Sequence, residues 1–248
     1  MHLSPCNSCL VCLMFLVSQL LISPSTAATT VLEDAFEVPG GTTGDINIAL
    51  RRQHGTAAPV AYSLDPASGA YGVAELESGA LSLSMPAVPG NGPISGVFLE
   101  HSFADLAGER YRIELSVTVD GTDSANSRFT LAWSDTSTPV GNASFADAGL
   151  IVIGDGRIFF ASEDIDALEK VTDLARDIRG EPLSIVLEFD ETRSNSVTIS
   201  VDSKPAHTVP VIFENDADRT LSLRSVMQDA ADDEYASAKI DKLSIERL

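Results

Sequence analysis

The stretch from Arg110 to Val119 constrains the fold more than any other. Tyr111, Ile113, Leu115, Val117 and Val119 alternate with Arg110, Arg112, Glu114, Ser116 and Thr118. A period of two puts successive side chains on opposite faces, so this is a β-strand with one dry and one wet face. The same period recurs at Phe129, Leu131, Trp133; at Ile185, Leu187, Phe189; at Val197, Ile199, Val201; and at Leu221, Leu223. Leu81, Leu83, Met85 and Val97, Leu99 are shorter instances. Turn residues divide the runs: Glu77-Ser78-Gly79, Gly154-Asp155-Gly156 and Ser194-Asn195-Ser196. Gly and Asn tolerate the positive φ of tight hairpins. Many short strands with such turns predict an all-β, two-sheet antiparallel sandwich or jelly roll.

One segment has another period. From Glu163 to Ile178, Ile165, Leu168, Val171, Leu174 and Ile178 are three or four residues apart. That spacing fits a short amphipathic helix over the sandwich edge, with an irregular crossover as the alternative. The Pro- and Gly-rich stretches at 39–41 and 86–93 read as loops, because strand patterning resumes directly after them. Neither an internal repeat nor a domain boundary is visible.

The N-terminus predicts the compartment. An apolar run from Leu10 to Ile22 is followed by Ser23-Pro24-Ser25-Thr26-Ala27-Ala28. It is too short to span a bilayer and has the form of a secretory h-region with a small-residue cleavage site, although no Lys or Arg precedes it. Residues 1–28 are therefore expected to be a signal peptide and 29–248 a single exported domain, ending in a periplasm, on a cell surface or in the medium. Cys6, Cys9 and Cys12 all lie within the signal. The domain thus has no cysteine for disulfides, thiolate metal sites or cysteine nucleophiles. It carries the whole formal charge of −20, a field that repels phosphate backbones and anionic lipid. Neither nucleic acid nor a membrane surface is an expected partner, and no membrane insertion is expected after signal removal.

The order of these pieces resembles the concanavalin A-like (laminin G-like) jelly rolls of secreted bacterial proteins. The resemblance rests on the opening strand Val31-Leu32-Glu33-Asp34-Ala35-Phe36, the strands around Arg110–Asp120 and Arg128–Ser134, and the glycine-punctuated hairpin from Gly149 to Phe160. Ser196–Lys204 and the closing strand Lys239–Ile245 complete it. The resemblance implies glycan recognition or cell-surface attachment, with a polysaccharide or cell-surface glycan as partner.

No catalytic signature accompanies the pattern. Glucanases of this fold carry Glu-x-Asp-x-x-Glu on one strand. In Glu188-Phe189-Asp190-Glu191-Thr192-Arg193, Arg193 stands where the last acid belongs, and Glu188 faces away from the apolar side. A Gly-x-Ser-x-Gly elbow, a zinc-spaced histidine pair and a dinucleotide fingerprint are all absent. Three acid groups compete for a structural Ca²⁺, which is bound by hard oxygen ligands. They are Glu33 and Asp34 with Asp241, where first and last strands meet; Asp229, Asp232, Asp233 and Glu234; and Glu214, Asp216 and Asp218. Solvated loop acids are the plainer reading of each. For sugar stacking, Tyr62, Tyr71 and Tyr235 lie in loop-like contexts, whereas Trp133 alternates with core residues. Arg51, Arg52 and His54 form a basic cluster suited to an acidic glycan or to the protein's own acids. Asn142-Ala143-Ser144 is a glycosylation sequon. The expectation is a non-catalytic, lectin-like glycan-binding or attachment module. A structural or partner-binding sandwich is the alternative, and an unrecognised glycoside hydrolase the third reading.

Overall fold

The computed structural model describes residues 27–37, 44–45, 53–55, 60–68, 72–85, 94–164, 167–202, 204–214, 217–227 and 234–248. The strands in the first part are β1 (Thr29–Asp34), β2 (Gly44–Asp45), β3 (Gln53–His54), β4 (Tyr62–Leu64), β5 (Val73–Glu77) and β6 (Ala80–Met85). Next come β7 (Ile94–Leu99), β8 (Arg110–Gly121), β9 (Ser127–Ser134), β10 (Ala148–Ile153), β11 (Arg157–Ala161) and β12 (Glu169–Asp173). The last are β13 (Pro182–Asp190), β14 (Ser196–Val201), β15 (His207–Pro210), β16 (Thr220–Met227) and β17 (Ala236–Arg247). Single 3-10 turns at Pro66–Ser68, Ala104–Leu106 and Ala143–Phe145 are the only helical elements among the described residues.

Two antiparallel sheets form the predicted sandwich. One runs β15-β14-β13-β8-β17-β6-β5-β2, with β1 also on β17 and β3 on β1; the other runs β12-β11-β10-β9-β16-β7-β4. The long strand β17 explains the first sheet's layout. Residues 236–240 pair with β6, and 243–247 pair with β1. A register shift between Ile240 and Lys242 leaves Asp241 bulged between the two partners. The bulge shifts the alternation by one, so Ala236, Ala238 and Ile240 face inward before it and Leu243 and Ile245 after it.

The inner faces meet in one core. Tyr111, Ile113, Leu115, Val117 and Val119 of β8 are buried with Phe129, Leu131 and Trp133 of β9 and Leu221 and Leu223 of β16. Hairpin geometry follows the turn residues: Ser78 and Gly79 between β5 and β6 have φ of +54° and +80°. Two successive positive-φ residues match the right-handed strand twist. Asn195, between β13 and β14, has φ +42°.

The helical reading of 163–178 is corrected. Residues 169–173 form β12, paired with β11. The backbone then bonds outward rather than to itself: Leu174 N–H donates to the Gly156 carbonyl and Ile178 N–H to that of Gly154, at 2.9 and 2.8 Å. Ile165 lies outside the described residues. Leu168 is exposed, and Val171 and Leu174 are half-buried, so they do not form one dry helical stripe.

One end of the sandwich holds a buried ion pair. Arg219 is fully buried and donates through Nε and Nη2 to the two carboxylate oxygens of Glu191, at 3.0 and 2.6 Å. Tyr111 Oη donates to Glu191 Oε1 at 2.5 Å and accepts from Trp133 Nε1 at 2.9 Å. The Arg219 guanidinium also lies 4.2 Å from the Phe213 ring centroid, and Tyr111 stacks on Phe189. Burial, with the Glu191 charge next, holds the Tyr111 phenol well above its ordinary range, so it remains a donor.

Candidate functional site on the seven-stranded sheet

The sequence-predicted residues do not assemble into one site. Arg51, Arg52 and Tyr71 lie outside the described residues. The backbone at His54 pairs with Glu33. Tyr62 is corrected from loop to core: it is only 2% exposed, lies on β4, and its hydroxyl donates to Asp34 Oδ2 at 3.0 Å. Tyr235 is exposed just before β17, with its N–H bonded to Thr122 Oγ1 at 3.1 Å. Trp133 is core, as its alternation predicts.

For the calcium candidates, β1 and β17 do lie side by side, but the acids diverge. Asp34 faces inward and accepts from Phe36 N–H at 2.9 Å as well as from Tyr62. Glu33 faces out, 3.9 Å from Lys242 Nζ, and Asp241 is exposed on the bulge. Strand alternation separates Glu33 from Asp34. Asp229, Asp232, Asp233 and Asp216 lie outside the described residues. Among the described residues no three His, Cys, Asp or Glu side chains are grouped to hold a metal ion.

Charge partition marks a different surface. In a chain with 36 Asp and Glu, strands β4, β7, β16, β9, β10 and β11 contain none. They do contain Arg128, Arg157 and Arg224, each next to an inward residue (Phe129, Ile158, Leu223), so all three project from the outer face. Arg224 is opposite Thr130 and Arg128 opposite Ile153. Arg224 and Arg128 are therefore diagonal neighbours, about 7–8 Å apart along the backbone. The first sheet differs, since its outer face mixes signs that pair locally: Arg112 with Glu188, Arg110 with Asp190, Lys239 with Glu77.

The acids that meet these arginines come from turns and, for Arg157, also from Asp173 opposite it on the edge strand β12. Asp65, almost wholly buried, precedes the first 3-10 turn, where its Oδ1 accepts from Ala67 N–H at 2.8 Å. Its other oxygen pairs with Arg224 Nε. Gly96, opposite Arg224, makes room for the pair, because a Cβ there would stand 2.6 Å from Arg224 Cγ. Arg157 pairs with Asp155 in the β10–β11 turn at 2.6 Å.

Residues 135–147 cross this face as a strap. Ser222 Oγ donates to the Val140 carbonyl at 2.6 Å. Gly141 lies flat on the Arg224 guanidinium, which any Cβ would overlap, and Ala143 sits equally close over Gly149. Asn142 Oδ1 accepts from Ser144 N–H at 3.1 Å, capping the turn that carries Phe145. Phe145, the strap's one large apolar side chain, is 65% exposed. At the strap's feet, Asp147 Oδ2 accepts from Asp135 N–H at 2.8 Å, and Glu163 N–H donates to the Ala146 carbonyl at 3.0 Å. Asp147 is 3% exposed. Burial, then the charges of Asp135 and Glu163, pushes its carboxyl up to about 6. Sequence reading missed the strap and its arginines. The signal available was the absence of acids from six strands of an acidic protein.

No protein-family model matches this sequence, and no curated protein sequence matches it. Solved structures do. A structure from work on endo-acting O-glycanases by which members of the human gut microbiota initiate mucin breakdown superposes with a TM-score of 0.58 at 14% identity. The match covers 89% of this chain and 100% of that one. The carbohydrate recognition domain of Emp47p gives 0.55 at 12% identity, over 75% of this chain and 88% of that domain. A sialidase gives 0.52 at 10% identity over 74% of this chain, which spans only 16% of that protein's length. At such identities the likeness establishes the fold, a concanavalin A-like β-sandwich, and nothing finer. Among the described residues no helix is long and apolar enough to cross a membrane.

Proposed function

We propose that this chain is an exported, non-catalytic glycan-binding sandwich whose ligand face is the outer side of the seven-stranded sheet. Its ligand class is an anionic saccharide. The observation that carries this reading is the charge partition: strands without a carboxylate display Arg128, Arg157 and Arg224 on one face of a protein of net charge −20. Guanidinium groups match the carboxylates of uronic acids in shape and charge. The lectin domain and glycan-handling enzymes among the structural neighbours support glycans as the general class.

Calorimetric titration of the 29–248 protein with hexagalacturonate and with neutral cellohexaose tests the proposal. Binding of the uronate alone is expected, weakened about tenfold by Arg157→Gln, which removes one partly exposed charge-assisted contact. Equal affinity for both sugars, or for neither, overturns it. N-terminal sequencing of the protein recovered outside the cytoplasm tests export. Cleavage after Ala27 or Ala28 is the expected result, and an intact Met1 in the cytoplasm overturns it.

A further inference from the structure

The face assigned to the ligand is largely hidden. Ala132, Ser134, Ser222, Ile151 and Ile153 are outward positions of β9, β16 and β10, yet all are buried. Residues 135–147 supply part of this cover, crossing above Ser222, Arg224 and Gly149 and packing Ala143 into a cluster with Ile151 and Ile153. Beyond the hydrogen bonds at Val140, Ala146 and Asp147, little apolar surface holds the strap down. Its buried apolar side chains are two alanines, Ala143 and Ala146, while Phe145 points to solvent. Segments with few buried apolar contacts open at low free energy. Where the strap begins, Ser134 Oγ at the end of β9 is buried with no hydrogen-bond partner among the described residues, a state that exposure to solvent or ligand would relieve.

We propose that residues 135–147 are a gate over the saccharide face, shut by protonation at their feet and released when Asp147 ionises. This rests on the glycan reading above and adds regulation of the same site. The geometry supplies the switch: Asp147 bonds the backbone of Asp135 and so ties the strap's exit from β9 to its return into β10. The charged groups acting on it are acids from both neighbouring elements, Asp135 past the end of β9 and Glu163 past the end of β11. Ionisation therefore sets a buried negative charge against two others.

The sign and size follow from linkage. The closed state holds the Asp147 proton up to about pH 6, against an ordinary 3.8 when the strap is lifted and the group is solvated. Raising the pH then favours the open state, by about a hundredfold in the opening equilibrium from well below pH 4 to well above pH 6. Between about pH 5 and about pH 8 the expected change is roughly tenfold.

Hydrogen exchange read by mass spectrometry on peptides within 135–147, comparing the 29–248 protein with its Asp147→Asn variant at each pH, cancels the intrinsic exchange chemistry. The ratio of strap exchange rates, wild type to variant, should rise about tenfold from pH 5 to pH 8, with β8 and β17 unchanged. A constant ratio, or a change spread over the whole sandwich, overturns the gate. Gly149→Ala gives an independent lift, since its Cβ would overlap the Ala143 carbonyl oxygen while suiting the strand. It should raise strap exchange at pH 5, and unchanged exchange counts against the gate. In hexagalacturonate titrations at pH 5 it should also tighten binding by at least about tenfold. No uronate binding by any variant, with the exchange ratio as expected, sinks the glycan reading and leaves the gate. Binding with a flat exchange ratio does the reverse.

Discussion

Replacing Glu191 by Gln tests whether the buried Arg219–Glu191 pair organises the end of the sandwich. The substitution keeps the shape, removes the charge and turns one of the two acceptor oxygens into a donor. Arg219 is wholly buried and directs two of its donors at Glu191, while Tyr111 directs a third. Breaking a buried pair from one side costs about 3–5 kcal/mol, because the remaining charge has lost its counterion without regaining water. Tyr111→Phe deletes a hydrogen bond to a charged group, about 1.5–3 kcal/mol, and also strips the buried Trp133 Nε1 of its acceptor. At about 2–4 °C per kcal/mol for a domain of this size, Glu191→Gln should lower the Tm by roughly 6–20 °C. Trp133, the sole tryptophan, donates to Tyr111 Oη, so its fluorescence in urea titrations reports on this network directly. The double variant Glu191→Met with Arg219→Met should recover most of the loss, since a well-packed apolar replacement of a buried pair is often neutral. A loss below about 1 kcal/mol for Glu191→Gln, or no recovery in the double variant, refutes the reasoning.

Two further outcomes follow from burial and hydrogen bonding. Asp147, raised to about 6 in the folded protein, contributes stability that is complete below about pH 4 and lost as pH rises through 6. Asp147→Asn should therefore stabilise the protein by about 1–3 kcal/mol at pH 8 and by almost nothing at pH 4, as read from urea midpoints at the two pH values. Tyr62→Phe removes the hydroxyl bonded to the buried Asp34 carboxylate and should cost about 1.5–3 kcal/mol. A cost near zero in thermal unfolding would refute a stabilising role for this hydrogen bond.

The core was legible because alternation is a physical consequence of strand geometry. Each of the clean runs, from Tyr111–Val119 to Leu221–Leu223, faces the interior. The bulge at Asp241 was written in the spacing too: Ile240 and Leu243 are both buried, although strict alternation would put them on opposite faces. Periodicity misled at 163–178, where an edge strand and an irregular turn happened to place apolar residues three and four apart. What decided the structure there was the pair of carbonyls on Gly154 and Gly156, contacts that no local pattern encodes. The candidate site was hidden for a similar reason. Asp65 and Arg224 are 159 residues apart, and only the pairing of β16 with β7 brings Arg224 opposite Gly96, beside the turn that carries Asp65. Tyr62 looked like a surface aromatic because β4 is only three residues long, too short for alternation to show.

The charge distribution carries a last consequence, one that separates this face from an ordinary basic groove. A net charge of −20 repels an anionic saccharide at long range, while Arg128, Arg157 and Arg224 attract it at contact. Which field an approaching ligand feels depends on screening. At about 0.01 M salt the Debye length, near 30 Å, spans most of the domain, and the ligand meets the whole negative charge. At about 0.15 M it falls to about 8 Å, and the ligand feels mainly the arginines of this face together with their paired acids. Contacts at a partly buried face are screened far less than that distant repulsion. The association rate of hexagalacturonate measured by stopped flow should therefore rise over this range of salt, by roughly threefold to tenfold, with the dissociation rate changing less. A basic groove on a basic protein behaves oppositely, slowing as salt is added. Association that slows with salt would mean that the ligand approaches through a positive field, and the arginine-bearing face of this acidic protein would then not be where it lands.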